Sequence, residues 1–186
     1  VKISKQQAAA NREQILVIAS ELFRERGIDN VSIAEVMDVA GFTHGGFYNH
    51  FADKGALARE ACMAAFERAL GAVQEGLAAG LDPYVKTYLS AAHRDGEGGC
   101  PIAALATESA RHDELQPSFA DGLASTLELF AEALRRSGVT GRAAARTRAM
   151  RLVSEMVGAL TLARAVRSSA PQLSNDLLRA SRQAVK

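Results

Sequence analysis

Between Val39 and Ala52 the chain carries no acidic residue, yet it places Thr43, His44, Tyr48, Asn49 and His50 within eight positions. Each of these side chains can donate a hydrogen bond, and nothing among them repels a phosphate. Lys54 follows at the start of a long apolar-periodic segment. A cation there opposes the helix dipole, a placement that makes sense when an anion is the partner, since a helix N-terminus already favours one. Gly45 and Gly46 are poor helix residues, but without a Cβ they allow a ligand to approach the backbone closely. Together these features suggest contact with the backbone and groove of a nucleic acid. The same aromatics, Phe47, Tyr48 and Phe51, would also suit a core at helical spacing, and Tyr48 and His50 would suit an interface.

The elements that must position this stretch are short helices. Ser32 with Glu35 three residues on reads as a capping box, opening a helix whose inward face is Ile33, Val36, Met37 and Ala40. Gly41 ends it, and Thr43 can cap a third short helix through His50. A turn on Ala40-Gly41-Phe42-Thr43 needs glycine, because the backbone must pass through positive φ between two steeply crossing helices. The second helix of this pair would lie in the major groove, whose width of about 12 Å admits one helix. Upstream, a first helix over Ala9–Arg26 carries the stripe Ile15, Ile18, Ala19, Leu22 and Phe23, with Gly27 as its stop. The tail from Val1 to Arg12 holds Lys2, Lys5 and Arg12 without an acid and could reach a phosphate backbone or a minor groove. Residues 1–54 nevertheless hold six Lys/Arg against seven Asp/Glu. The acids, including Glu21, Glu25 and Asp29, must therefore face away from DNA.

Downstream the periodicity stays helical and no segment alternates as a strand. Asp53 caps a fourth helix from Lys54 to Ala79. Asp82-Pro83, a cap followed by proline, opens a fifth that runs to His93. Arg94 to Gly99 is a polar loop, Cys100-Pro101 opens a sixth helix, and Pro117 marks a kink or restart before one ending at Arg136 and Gly138. Thr140–Ser168 and Pro171–Ala184 complete an all-α chain of about nine helices. The expected organisation is a three-helix helix-turn-helix module over residues 1–54 followed by a helical bundle over residues 55–186.

The chain has 186 residues, 48% of them apolar and 23% charged, with a net charge of +1. This suits a globular protein with a core of its own, and bulk charge does not signal nucleic-acid binding. No apolar run reaches membrane-span length, so a soluble cytoplasmic protein is expected. Cys62 and Cys100 lack metal-like spacing, and so do His93 and His112, which argues against a zinc site or a disulfide framework. No cofactor is implied. No nucleophile elbow, phosphate loop or HExxH string is present, which argues against an enzyme. A helical partner-binding protein without DNA activity would explain an apolar stripe but would leave the Tyr48, His50 and Lys54 cluster without a purpose.

The run from Phe42 to Leu57 resembles the signature of tetracycline-repressor-like (TetR family) regulators. Ser32-Ile33-Ala34-Glu35-Val36, Ala40-Gly41 and the stretch Ile15 to Gly27 fit the same pattern, so the resemblance covers residues 11–60. It implies that Ser32, Thr43, Tyr48, His50 and Lys54 hold phosphates and that His44, Gly45, Gly46 and Asn49 approach base edges, while Phe47 and Phe51 are core. Gly46 departs from the family pattern, which often has Thr or Ala there, and this shifts specificity onto His44 and Asn49. The resemblance also implies a homodimer on double-stranded operator DNA and a small-molecule effector that usually relieves repression. The fourth helix would be the lever.

For the bundle, the resemblance implies a pocket among the fourth to eighth helices, with Met63, Phe66, Tyr84, Tyr88, Leu105, Phe119, Leu123, Leu127 and Met156 as candidate walls. At helical spacing the same residues also suit plain core. Met150, Val153, Val157, Leu160 and Thr161, with Leu173 and Leu177 of the last helix, form a stripe suited to an isologous four-helix interface; ordinary core is the competing reading. Cys100 stands at a helix start, where the dipole favours thiolate, so a redox or electrophile sensor is a further possibility.

Overall fold

A computed structural model describes residues 4–96 and 99–184. Lys2 of the basic tail and part of the 94–99 loop lie outside the described residues. Among the described residues every regular element is helical, in nine α-helices and two short 3₁₀ segments. The chain divides into two compact units, Val1–Arg68 with Ala104–Ala120, and Ala69–Ala103 with Asp121–Lys186. The unit that holds residues 1–54 thus also takes in residues 55–68 and 104–120.

In the first unit, α1 (Lys5–Arg26) is capped by Ser4, whose hydroxyl accepts from the Gln7 N–H. Its Ile15, Leu16, Ala19, Leu22 and Phe23 are buried at three- and four-residue spacing, the stripe a core-facing helix requires. Helix α2 (Ile33–Val39) begins at Ser32, which accepts from the Glu35 N–H at 3.1 Å. The Glu35 carboxylate pairs with Arg26, so only the hydroxyl half of the expected capping box is used. The turn after α2 is a Schellman motif. Phe42 N–H donates to the Met37 carbonyl and Gly41 N–H to that of Asp38. Gly41 sits at φ +76°, a conformation in which a Cβ would be strained.

The third helix of this module is a 3₁₀ segment, His44–Asn49, and the Thr43 hydroxyl makes no capping bond to it. A glycine pair within six residues leaves too little propensity for a full α-turn. Aromatic packing holds the segment instead. Phe47 is fully buried, with its ring centroid 5.6 Å from Phe51 and 5.2 Å from Tyr48. Arg12, read from the sequence as part of a basic tail, has its guanidinium 4.6 Å from the Phe51 ring centroid and bonds to Glu60. Helix α3 (Lys54–Ala78) starts where Asp53 accepts from the Ala56 N–H at 2.7 Å.

The second unit is built around α8 (Arg142–Val166) and α9 (Pro171–Ala184), with the residues after Ala120 of α7 (Gln116–Arg136) and the shorter α4 (Leu81–Tyr88) and α5 (Ala91–Asp95). Two expected boundaries move. Gly80, not Asp82, caps α4. The fifth helix stops at Leu89 and restarts at Ser90, whose hydroxyl donates to the Thr87 carbonyl and accepts from the His93 N–H. Ser174 is fully buried and well satisfied: its hydroxyl donates to the Ala163 carbonyl and accepts from Arg94. Helix α6 (Pro101–Arg111) has residues in both units. In the first unit its buried Glu108 accepts from the Ile28 N–H at 2.7 Å, which satisfies a donor in the loop between α1 and α2. No described helix is long and apolar enough to cross a membrane.

Candidate nucleic-acid interface and ligand pocket

In the first unit, the residues expected to meet DNA lie at the surface of the α2–3₁₀–α3 segment. Ser32, Thr43, His44, Gly45 and Asn49 are exposed, while Gly46, His50 and Lys54 are partly so. Tyr48 is 62% exposed, although its ring rests edge-on against the buried Phe47 and lies 6.1 Å from His44. An exposed tyrosine anchored through its ring keeps its hydroxyl outward at little entropic cost. A Cβ at Gly45 would meet nothing of the chain within 4 Å, so neighbouring packing does not explain the glycine. The acids around this surface are partly engaged: Glu35 with Arg26, Asp53 in its cap, and Asp29 beside His112 at 3.4 Å.

The second unit encloses a cavity of about 450 Å³. Of the expected wall residues, Tyr84, Tyr88 and Met156 line it. Met63, Phe66, Leu105, Phe119, Leu123 and Leu127 do not. Met63 is exposed, Phe66 and Phe119 pack edge-on against each other, and Leu105 borders a smaller void in the first unit. Cys100 lines the larger cavity, and so do Gly76, His93, Thr126, Phe130 and Val153, none of which the sequence had marked as a wall. The mutual packing of Tyr84 and Phe130, 5.4 Å between ring centroids, joins residues too far apart in sequence for periodicity to pair them.

Gly76 is required by close approach. A Cβ built there would come within 2.5 Å of the Tyr84 ring. Gly76→Ala is therefore expected to displace that ring and to lower stability by about 1–3 kcal/mol, the usual cost of overpacking. Urea denaturation would read the loss, and an unchanged midpoint would contradict the tight fit.

The stripe expected to form an interface divides. Val153 and Leu160 are buried within their own chain, Val153 at the cavity wall, because α8 presents apolar residues on two sides and these two face inward. Val157, partly exposed, also lines the cavity, while Met150, Thr161 and Leu173 are exposed, Leu177 is partly so, and Leu162 is 56% exposed.

Burial pushes the Cys62 thiol up to about 11, which leaves it inert. Among the described residues no group of three or more His, Cys, Asp and Glu could hold a metal ion.

A helix-turn-helix unit and a helical unit with its own cavity define the class of bacterial regulatory proteins. Residues 15–61 match the family described as "Bacterial regulatory proteins, tetR family", and residues 84–175 match "Transcriptional regulator LmrA/YxaF-like, C-terminal domain". The chain belongs to the tetR family of transcriptional regulators, which are not enzymes. It is 43% identical over 51 residues to the HTH-type transcriptional repressor BepR of Brucella suis, covering 27% of this chain and 24% of that protein. It is 40% identical over 57 residues to the HTH-type transcriptional regulator AcrR of Shigella flexneri, covering 31% and 26%. The chain thus spans about a quarter of the length of these relatives. Reduced NemR of E. coli has the same fold, with a TM-score of 0.80 at 19% identity over 95% of each chain.

Proposed function

We propose that this protein is a cytoplasmic repressor that binds double-stranded operator DNA as a homodimer and is released by a small-molecule effector. Residues 1–54 carry recognition, and residues 55–186 carry the effector site and the pairing surface. The single observation that supports DNA binding is the outward array of Thr43, His44, Tyr48 and Asn49, with Lys54 behind it, on an acid-free segment anchored by Phe47. Ser32, Tyr48, His50, Thr43 and Lys54 hold phosphates, and His44, Asn49, Gly45 and Gly46 face base edges. The effector occupies the cavity lined by Tyr84, Tyr88 and Met156, and Cys100 is read as part of that wall. Effector binding shifts the population away from the arrangement in which two recognition segments sit one DNA turn, about 34–36 Å, apart. By linkage, DNA weakens effector binding as much as effector weakens DNA binding.

Fluorescence anisotropy on DNA flanking the gene tests the reading. Lys54→Ala should weaken binding to all sequences alike and lower the salt slope by about 1. Asn49→Ala and His44→Ala should each relax preference at one base position, by about 1–3 kcal/mol. Binding that is indifferent to Lys54 and to salt would refute the proposal.

A further inference from the structure

The chemistry of the cavity wall narrows what can occupy it. Among the described residues the lining holds no Asp, Glu, Lys or Arg. A charged ligand would therefore lose its water without gaining a counter-charge in contact with it. Most of the surface is aliphatic or aromatic, and its polar side chains are Tyr84, Thr87 and Tyr88 of α4, His93 of α5, Cys100 just before α6, and Thr126 of α7.

Tyr88 is only 8% exposed, and its hydroxyl has no oxygen or nitrogen partner among the described residues, only the Cys100 thiol, a weak acceptor. Burial, reinforced by Cys100, raises its pKa, so the phenol keeps its proton. His93 supplies a second polar atom. Its Nδ1 lies 2.7 Å from the Tyr88 carbonyl oxygen. A carbonyl only accepts, so Nδ1 carries the hydrogen and Nε2 is left as an acceptor. Burial first, and then the Arg164 guanidinium, lower the His93 pKa and keep the ring neutral. Arg164 itself is committed to the carbonyls of His93 and Arg94, at 3.0 Å each. It biases the potential near Tyr88 towards positive without being a wall of the cavity. Thr126 is committed too, donating to the Gly122 carbonyl at 2.9 Å.

A buried hydroxyl in an apolar cavity whose proton meets only a weak sulfur acceptor is better matched by an oxygen acceptor. We propose that the ligand class is a neutral, predominantly apolar molecule with a carbonyl-type oxygen that accepts a hydrogen bond from Tyr88 Oη. This rests on the reading of the cavity as the effector site and adds the chemistry that site selects.

The test is calorimetric titration of the full chain, without DNA, using three compounds of one size: 2-acetylnaphthalene, 2-isopropylnaphthalene and 2-naphthoate. The ketone should bind about tenfold more tightly than the hydrocarbon, the ordinary advantage of one neutral hydrogen bond. Tyr88→Phe should erase that preference while leaving hydrocarbon binding within about twofold. It should also melt close to the parent, since the hydroxyl it removes meets only a weak sulfur acceptor. Val153→Trp, which fills the cavity, should weaken both ligands. Equal binding of ketone and hydrocarbon, a preference for the carboxylate, a ketone preference that survives Tyr88→Phe, or no binding at all would overturn the proposal. Release of operator DNA is measured separately. A Tyr88-dependent ketone preference without release would leave the ligand class standing and would sink the effector reading instead.

Discussion

Phe47→Ala is expected to cost about 3–5 kcal/mol and to abolish DNA binding, although the ring touches no DNA in the proposed complex. The side chain is fully buried, and Phe51 and Tyr48 pack directly on it. It belongs to a 3₁₀ segment that contains Gly45 and Gly46 and lacks a Thr43 cap, so the backbone has little stability of its own. Removing the ring empties the core and releases the segment that presents Tyr48 and Asn49. A loss of this size is a large fraction of a domain's total stability, about 5–15 kcal/mol. Chemical denaturation followed by circular dichroism reads the loss. A variant within about 1 kcal/mol of the parent would show that the segment is held by something other than this ring.

In the homodimer proposed above, Leu162→Asp is expected to separate the protomers. Leu162 is 56% exposed on α8, beside the exposed Thr161 and the half-exposed Gly158, and α9 adds the exposed Leu173. A two-fold interface repeats every substitution, so two unpaired carboxylates would be buried per dimer. At several kcal/mol each, the dissociation constant should rise more than about a thousandfold. Gly158 provides a control with the opposite sign. A Cβ there would meet nothing of its own chain within 4 Å, and a mid-helix glycine costs about 1 kcal/mol relative to alanine. Gly158→Ala should therefore stabilise the isolated protomer and, in the proposed homodimer, weaken pairing. Sedimentation equilibrium decides both points. A Leu162→Asp protein that stays dimeric at micromolar concentration would place the pairing surface elsewhere.

How much could be read from the sequence depends on how local each cause is. Ser32, Gly41 and Asp53 act on backbone groups three to five residues away, and their caps and turns were legible in advance. The break between α4 and α5 was not, because Val85, Tyr88 and Leu89 continue an apolar pattern through it, while the Ser90 hydroxyl turns the chain. The array Thr43 to His50 was legible as a candidate because its information is chemical: donors with no acids among them. The cavity was only partly legible. Periodicity places Val153 and Leu162 on helix faces without saying which face meets the chain itself, so Val153 passed for a pairing residue. Nothing near Glu108 in the sequence tells that its carboxylate serves Ile28, 80 positions away.

Helix α8 does two jobs across its own thickness. Val153 and Met156 form part of the cavity wall, Thr161 and Leu162 look outward, and Arg164 of the same helix grips the carbonyls of His93 and Arg94. In the proposed pair joined through α8, the helix that walls each cavity also carries the pairing surface, so an occupant that shifts α8 in one protomer would alter the seat offered to the next molecule. Saturation should then depart from the hyperbola of independent sites. The sharpness of the dose–response, and with it how abruptly the controlled genes switch, would be set by the stiffness of one helix.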